Sequence, residues 1–224
     1  MWDEIAASVR GPAHLRAGTP HQDAYLIRRT RKYALAVVCD GLGSRPRSDA
    51  GARAACRATA DAVRHWSRSP GAPVELLLRT IHVLWNIRVQ ELGPEQCATT
   101  CLFAVAHADG RIVLAQLGDG LVQLKRPDAT VALEPDADRF GNETRALGIS
   151  TDVRDWRVRV EKDAGDPMSV LLATDGVADD LLPEKRGAFL DFLRSEFAPT
   201  RRGTFSGTRS EERRVGKECR SRWA

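Results

Sequence analysis

YALAVVCDGLGSRPRSDAG, residues 33–51, changes character twice within nineteen positions. An apolar, β-rich run ends in Asp40, and a loop rich in Gly, Pro and Ser follows. Helical spacing then begins, with Ala52, Ala55, Cys56, Thr59, Ala62, Val63 and Trp66 recurring on one face from about Asp49 to Trp66. Ser48 is placed to cap that helix. Upstream, YLIRR (25–29) and the basic turn TRK (30–32) make the first run one arm of a hairpin. The segment therefore predicts a strand pair that delivers a carboxylate to a tight loop at the foot of a helix.

The pattern extends in both kinds of element. SPGAP (69–73) breaks the chain, and a second helix is expected from Val74 to about Leu92, ended by Gly93-Pro94. Its apolar side is read as Leu77, Leu78, Ile81, Leu84, Trp85 and Ile87. TTCLFAVAH (99–107) and RIVLAQLG (111–118) form a hairpin through Asp109-Gly110, and GLVQLKR (120–126) is expected to pair next to it. The polar stretch 136–148 reads as a long functional loop. DWRVRVEK (155–162) and MSVLLATD (168–175) are further strands, the second expected to be buried. PEKRGAFLDFLRSEF (183–197) is a helix opened by Pro183. Antiparallel hairpins with helices inserted as blocks predict an α+β fold, an α-β-β-α sandwich of two mostly antiparallel sheets flanked by helices.

Composition narrows the class. The chain has 224 residues, 42% hydrophobic and 29% charged, as soluble globular domains have. No apolar run is long enough to span a membrane, and MWDEIAASVR lacks the features of a signal peptide. The five cysteines include no CxxC pair, and a reducing cytoplasmic location is expected. Residues from Arg209 onward contribute +3 of the net charge of +4, so the body carries no evident basic stripe and nucleic acid is not an expected partner. RSEERRVGKECRSRW (209–223) resembles translated adapter sequence; a natural basic tail is the other reading. The expected domain is 1–207, with 208–224 non-native.

Three strands run into aspartate beside glycine: Asp40, Asp119 in LAQLGDG, and Asp175 in LLATDGVADD, which also supplies Asp179 and Asp180. Asp23 opens a fourth strand. Hard divalent cations take carboxylate, carbonyl and water oxygens, so a site for Mg²⁺ or Mn²⁺ needs several such groups on rigid elements. Glycine beside each lets the chain turn sharply and lets a carbonyl approach. A single Asp-Gly pair is usually only a turn; three at strand ends point further.

GPAHLRAGTPHQDAY, VVCDGLGSRPRSDAGARAA, CATTCLFAV, LAQLGDGLVQL, ETRALG and LLATDGVADDL follow one another in the order seen in the bacterial branch of the metal-dependent serine/threonine protein phosphatases, the PPM or type-2C family. The resemblance runs from about residue 8 to about 198. It implies that Asp40 bridges two Mn²⁺ or Mg²⁺ ions with the Gly41 carbonyl on one of them, and that Asp175 holds the other. Asp23 would act largely through metal-bound water, and Asp119 and Asp179 would hold a weaker third ion. ETRALG and the loop before it would form a flap near the peptide substrate, and Thr99 and Thr100 a structural motif. Hydrolysis of phosphoserine or phosphothreonine in a protein would then be direct, by metal-activated water, in a monomeric enzyme.

The sequence departs from the family pattern in three places. Leu42 stands where many members have a general-acid histidine, with His14 and His21 the nearest substitutes. Arg16 is near, but not aligned with, the family's phosphate-binding arginine. No aspartate follows Asp191, whereas the family ends on a paired acidic motif and a final strand that complete the Asp175 site, so the expected domain is a C-terminally truncated one that lacks both. The alternative reading is therefore a catalytically silent regulatory or binding module on the same fold.

Overall fold

A computed structural model describes residues 3–11, 15, 16, 18, 20–69, 71–133, 145–163 and 165–197. The hairpin expected from residues 25–40 is present as β1 (Asp23–Arg29) and β2 (Tyr33–Asp40). It continues antiparallel through β3 (Cys101–His107), β4 (Arg111–Leu117) and β7 (Arg157–Lys162) into a five-stranded sheet ordered β1-β2-β3-β4-β7. A second, three-stranded sheet is ordered β6-β5-β8, from β5 (Leu121–Lys125), β6 (Thr130–Ala132) and β8 (Ser169–Ala173).

Side-chain alternation explains how the layers stack. In β3, Cys101, Phe103 and Val105 point to one side and Leu102 and Ala104 to the other, and all five are buried. The first set, with Leu35 and Val37 of β2, packs beneath α1 (Ser48–Trp66) and α2 (Val74–Val89). The second set, with Ile112 and Leu114 of β4, meets Val122 and Leu124 of β5 between the sheets. On the far face of the small sheet, Leu121 and Ala173 pack against Ala178 at the end of α3 (Asp175–Ala178), and against Leu181 and Phe189. Phe189 belongs to α4 (Arg186–Phe197). The order of layers is helix, sheet, sheet, helix, as the α+β reading expected.

Four local expectations change. GLVQLKR does not pair beside β4: β5 crosses to the other sheet and pairs with β6 and β8. Gly118 and Gly120, at φ 95° and 100°, turn the chain between the two sheets. β8 is only half-buried, because it lies at an edge with β5 as its neighbour among the described residues. Ser48 is the first helical residue rather than a cap, and its hydroxyl instead accepts from Gln22 Nε2 at 2.7 Å. On α2, Ile87 faces solvent at 63% exposure, and Val89 takes the inward place.

Two contacts fix the helix layer over the larger sheet. Gly51 lies so close to Cys97 that an added Cβ would sit 1.7 Å from its carbonyl oxygen, and the Gly51 carbonyl accepts from Trp85 Nε1 at 3.0 Å. Trp156 Nε1 meets His82 Nε2 at 2.9 Å, tying α2 to the start of β7.

Candidate metal centre

Strand register brings the first two carboxylates together. Asp23 opens β1 and Asp40 closes β2, and the two are directly paired across the ladder. The Asp40 backbone is held on its other side by the Thr99-Thr100 pair. Thr100 Oγ1 accepts from the Asp40 N–H at 2.9 Å, while Thr99 Oγ1 and the Thr100 N–H both donate to the Asp40 carbonyl at 2.8 Å. Gly41 follows in a bridge to Thr99, with its N–H donating to the Gln22 carbonyl at 3.1 Å. A Cβ at Gly41 would lie 2.7 Å from the Ser48 backbone, so the first turn of α1 presses on this glycine.

The other carboxylates arrive from the second sheet. Asp175 opens α3, directly after β8, and its Oδ1 accepts from the Gly176 N–H at 2.6 Å. Its carboxyl is in hydrogen-bonding contact with that of Asp40, as is that of Asp23. Burial, then Asp23, then Asp175 push the Asp40 carboxyl up to about 9. Asp119, in the crossover between the sheets, is also raised, first by burial and then by Asp175 and Asp179, with Arg157 opposing. Asp179 sits at the C-terminal end of α3, so that one short helix sets both its carboxylate and that of Asp175.

The Asp119 loop is built by its glycines. A Cβ at Gly118 would come within 2.7 Å of Thr100 and 2.8 Å of the Arg145 carbonyl, and one at Gly120 within 2.6 Å of the Ala173 carbonyl. Gln116 Nε2 donates to the carbonyls of Gly118 and Gly120 at 3.2 and 3.0 Å, and Arg157 Nη2 donates to the former as well. Sequence reading had no signal for Gln116 or Gln22, and read Ser48 only as a cap, since a polar side chain that supports a loop leaves no periodic mark. Thr99 and Thr100 do serve structure, as their backbone bonds to Asp40 require.

The remaining candidates separate. His21 lies beside the centre, with Nδ1 3.9 Å from Asp23 Oδ2 and Nε2 2.8 Å from Ser8 Oγ. Leu42 is tied by its N–H to the Ala98 carbonyl at 3.0 Å, and Arg16 is exposed. His14 and most of the expected flap, 136–144, lie outside the described residues. The end of ETRALG is an anchor rather than a surface: Ala146 and Leu147 are buried, and Leu147 exchanges backbone bonds with Thr99 at 3.1 and 2.9 Å.

The donor set suits a hard cation, being all oxygen, carried on strand ends and short turns, and partly shielded from water. Among the described residues, no three carboxylate, imidazole or thiol groups are spread around one point as a finished ion cage. The carboxyls of Asp23 and Asp175 instead crowd that of Asp40 and raise it, a crowding of like charge that bound cations would relieve.

Residues 10–209 match the protein phosphatase 2C family. The chain belongs to that family. No curated relative matches it in sequence. Among solved structures, the catalytic domain of the serine/threonine protein phosphatase PstP, in complex with two manganese ions, is similar at 17% identity and a TM-score of 0.56, over 90% of this chain and 87% of that one. The serine/threonine phosphatase Stp1 from Staphylococcus aureus is similar at 15% identity and 0.56, over 90% and 85%. RsbX in complex with magnesium gives 14% and 0.55, over 89% and 80%. At these identities the likeness concerns the protein phosphatase 2C fold.

Proposed function

We propose that this protein phosphatase 2C member is a Mn²⁺- or Mg²⁺-dependent enzyme that hydrolyses phosphoserine and phosphothreonine in proteins. The observation that carries the reading is the meeting of Asp40 with Asp23 from the neighbouring strand and with Asp175 from the other sheet. Asp40, Asp175 and the Gly41 carbonyl would hold two ions, Asp23 would act at their edge, and Asp119 and Asp179 would hold a weaker third. Bound there, the ions supply an activated water and neutralise charge on the phosphoryl oxygens. The chain's own contribution is to fix those oxygens: the Thr99-Thr100 bonds set the Asp40 backbone, and the glycine turn sets Asp119. We take the domain to be 1–207, working as a cytoplasmic monomer. No described helix is long and apolar enough to cross a membrane.

The silent-module reading is favoured by one observation, the lack of a finished ion cage among the described residues. Calorimetric titration with MnCl₂, paired with turnover of a phosphothreonine peptide, separates the two. The enzyme reading expects Mn²⁺ binding and Mn²⁺-dependent turnover, both lost in Asp40→Asn. It fails if Asp40→Asn and the parent chain are indistinguishable in both measurements.

A further inference from the structure

The outer layer of the fold carries a feature that the phosphate chemistry does not use. Leu76, Val83 and Ile87 are 51%, 57% and 63% exposed. Their spacing of seven and four places them in one line along α2, opposite the face that buries Leu77, Leu78, Ile81 and Trp85. Three large aliphatic side chains in a line make a narrow apolar stripe of the kind a second helix can cover.

Beside this apolar stripe runs a ridge of arginines. Arg53, Arg57 and Arg64 share one exposed face of α1, a stripe that the sequence reading did not separate from the neutral average of the body. Arg53 is matched by Asp49 at 2.8 Å. Asp61, by contrast, serves three cations at once: Arg88 at 2.6 Å, Arg64 at 3.4 Å and Arg28 at 3.9 Å. The ridge therefore keeps an excess of positive charge. Between the helices, a recess of about 260 Å³ is rimmed by Arg53, Arg57 and Arg88 and floored by Ala50, Ala54 and Val89. It has the size and charge to take carboxylate side chains.

We propose that the α1–α2 face docks an amphipathic helix of a partner protein, with an apolar face on Leu76, Val83 and Ile87 and acidic residues along the arginine ridge. Charge disfavours an antiparallel second copy of this chain, because such pairing of two α2 helices would set one arginine ridge against the other.

The probe is a fluorescent synthetic helix with leucines at i, i+3, i+4 and i+7 and glutamates on one flank, compared with a copy in which lysine replaces each glutamate. With the full chain, anisotropy should show the glutamate peptide binding at least about tenfold more tightly at low salt, with the preference shrinking as ionic strength rises. Val83→Asp with Ile87→Asp should lose the binding, and Arg57→Glu with Arg64→Glu should reverse the preference. All four side chains are exposed, so unchanged melting curves would show that the fold survives. Equal binding of the two peptides, or binding that persists in the Val83/Ile87 variant, overturns the proposal. Sedimentation of the parent chain as a dimer that the same variant dissolves also overturns it, in favour of a second copy.

Discussion

Replacing Asp40 by Asn should stabilise the metal-free protein while removing its chemistry. The Asp40 carboxyl is raised from its ordinary 3.8 to about 9 by burial and by the carboxyls of Asp23 and Asp175. Between those two values the folded chain holds a proton that the unfolded chain releases, so stability falls as pH rises through the window. Each pH unit corresponds to about 1.4 kcal/mol, so the nominal loss between pH 3.8 and 7 is about 4 kcal/mol. Water reaches part of the group and screens it, which reduces the expected figure to about 2 kcal/mol. Asn removes the titration and keeps a hydrogen-bond donor toward Asp23 and Asp175. In EDTA, the parent chain should thus show a urea midpoint that declines from pH 5 to pH 8, whereas Asp40→Asn should be flatter and about 2 kcal/mol more stable at pH 7. Saturating Mn²⁺ should reverse the order, because the ligand binds only the folded parent. A parent chain with flat stability over that range, matched by the variant, would refute the gathering of these carboxylates.

Thr100→Val removes the acceptor for the Asp40 N–H and should cost about 1–2 kcal/mol in urea unfolding; turnover should fall more than the stability loss explains. Gly51→Ala forces a methyl against the Cys97 carbonyl and should destabilise by about 3 kcal/mol or more, read as a fall in melting temperature without a change in the Mn²⁺ dependence of the remaining activity. Gly118→Ala meets both a positive φ and a contact at 2.7 Å, and it should weaken metal affinity through Asp119 as well as lowering stability by about 1–3 kcal/mol, measured by calorimetry and thermal melting. Deleting 208–224 should leave the melting temperature and turnover unchanged, as a domain bounded at 207 requires.

What was legible in the sequence was what repeats or breaks a repeat. Alternation in YALAVVC, helical spacing in residues 49–66 and glycine beside aspartate each have a local physical cause, and each element appears where that cause places it. The crossover of β5 was not legible, because GLVQLKR has the same alternation whichever sheet it joins. The choice is made by Gly118, Asp119 and Gly120 turning under Gln116, and a turn's direction does not show in composition. The exposure of Ile87 was hidden for a related reason: α2 is apolar on two faces, and only packing against α1 and β7 selects the inward one.

The same distinction explains why periodicity and spacing nominated the carboxylates singly, while only the family resemblance placed them in one site. Asp23 meets Asp40 through strand register, a short-range relation that the hairpin already implied. Asp175 reaches them from the second sheet, so its contact depends on how the two sheets pack over Leu102, Leu114, Val122 and Leu124. A core substitution between the sheets should therefore disturb the centre without touching a ligand. Loss of Asp23 or of the Thr100 hydroxyl should disturb it from within one sheet. The candidate metal centre is in this sense a seam between two layers, and its integrity is bound to the inter-sheet core as closely as to its own aspartates.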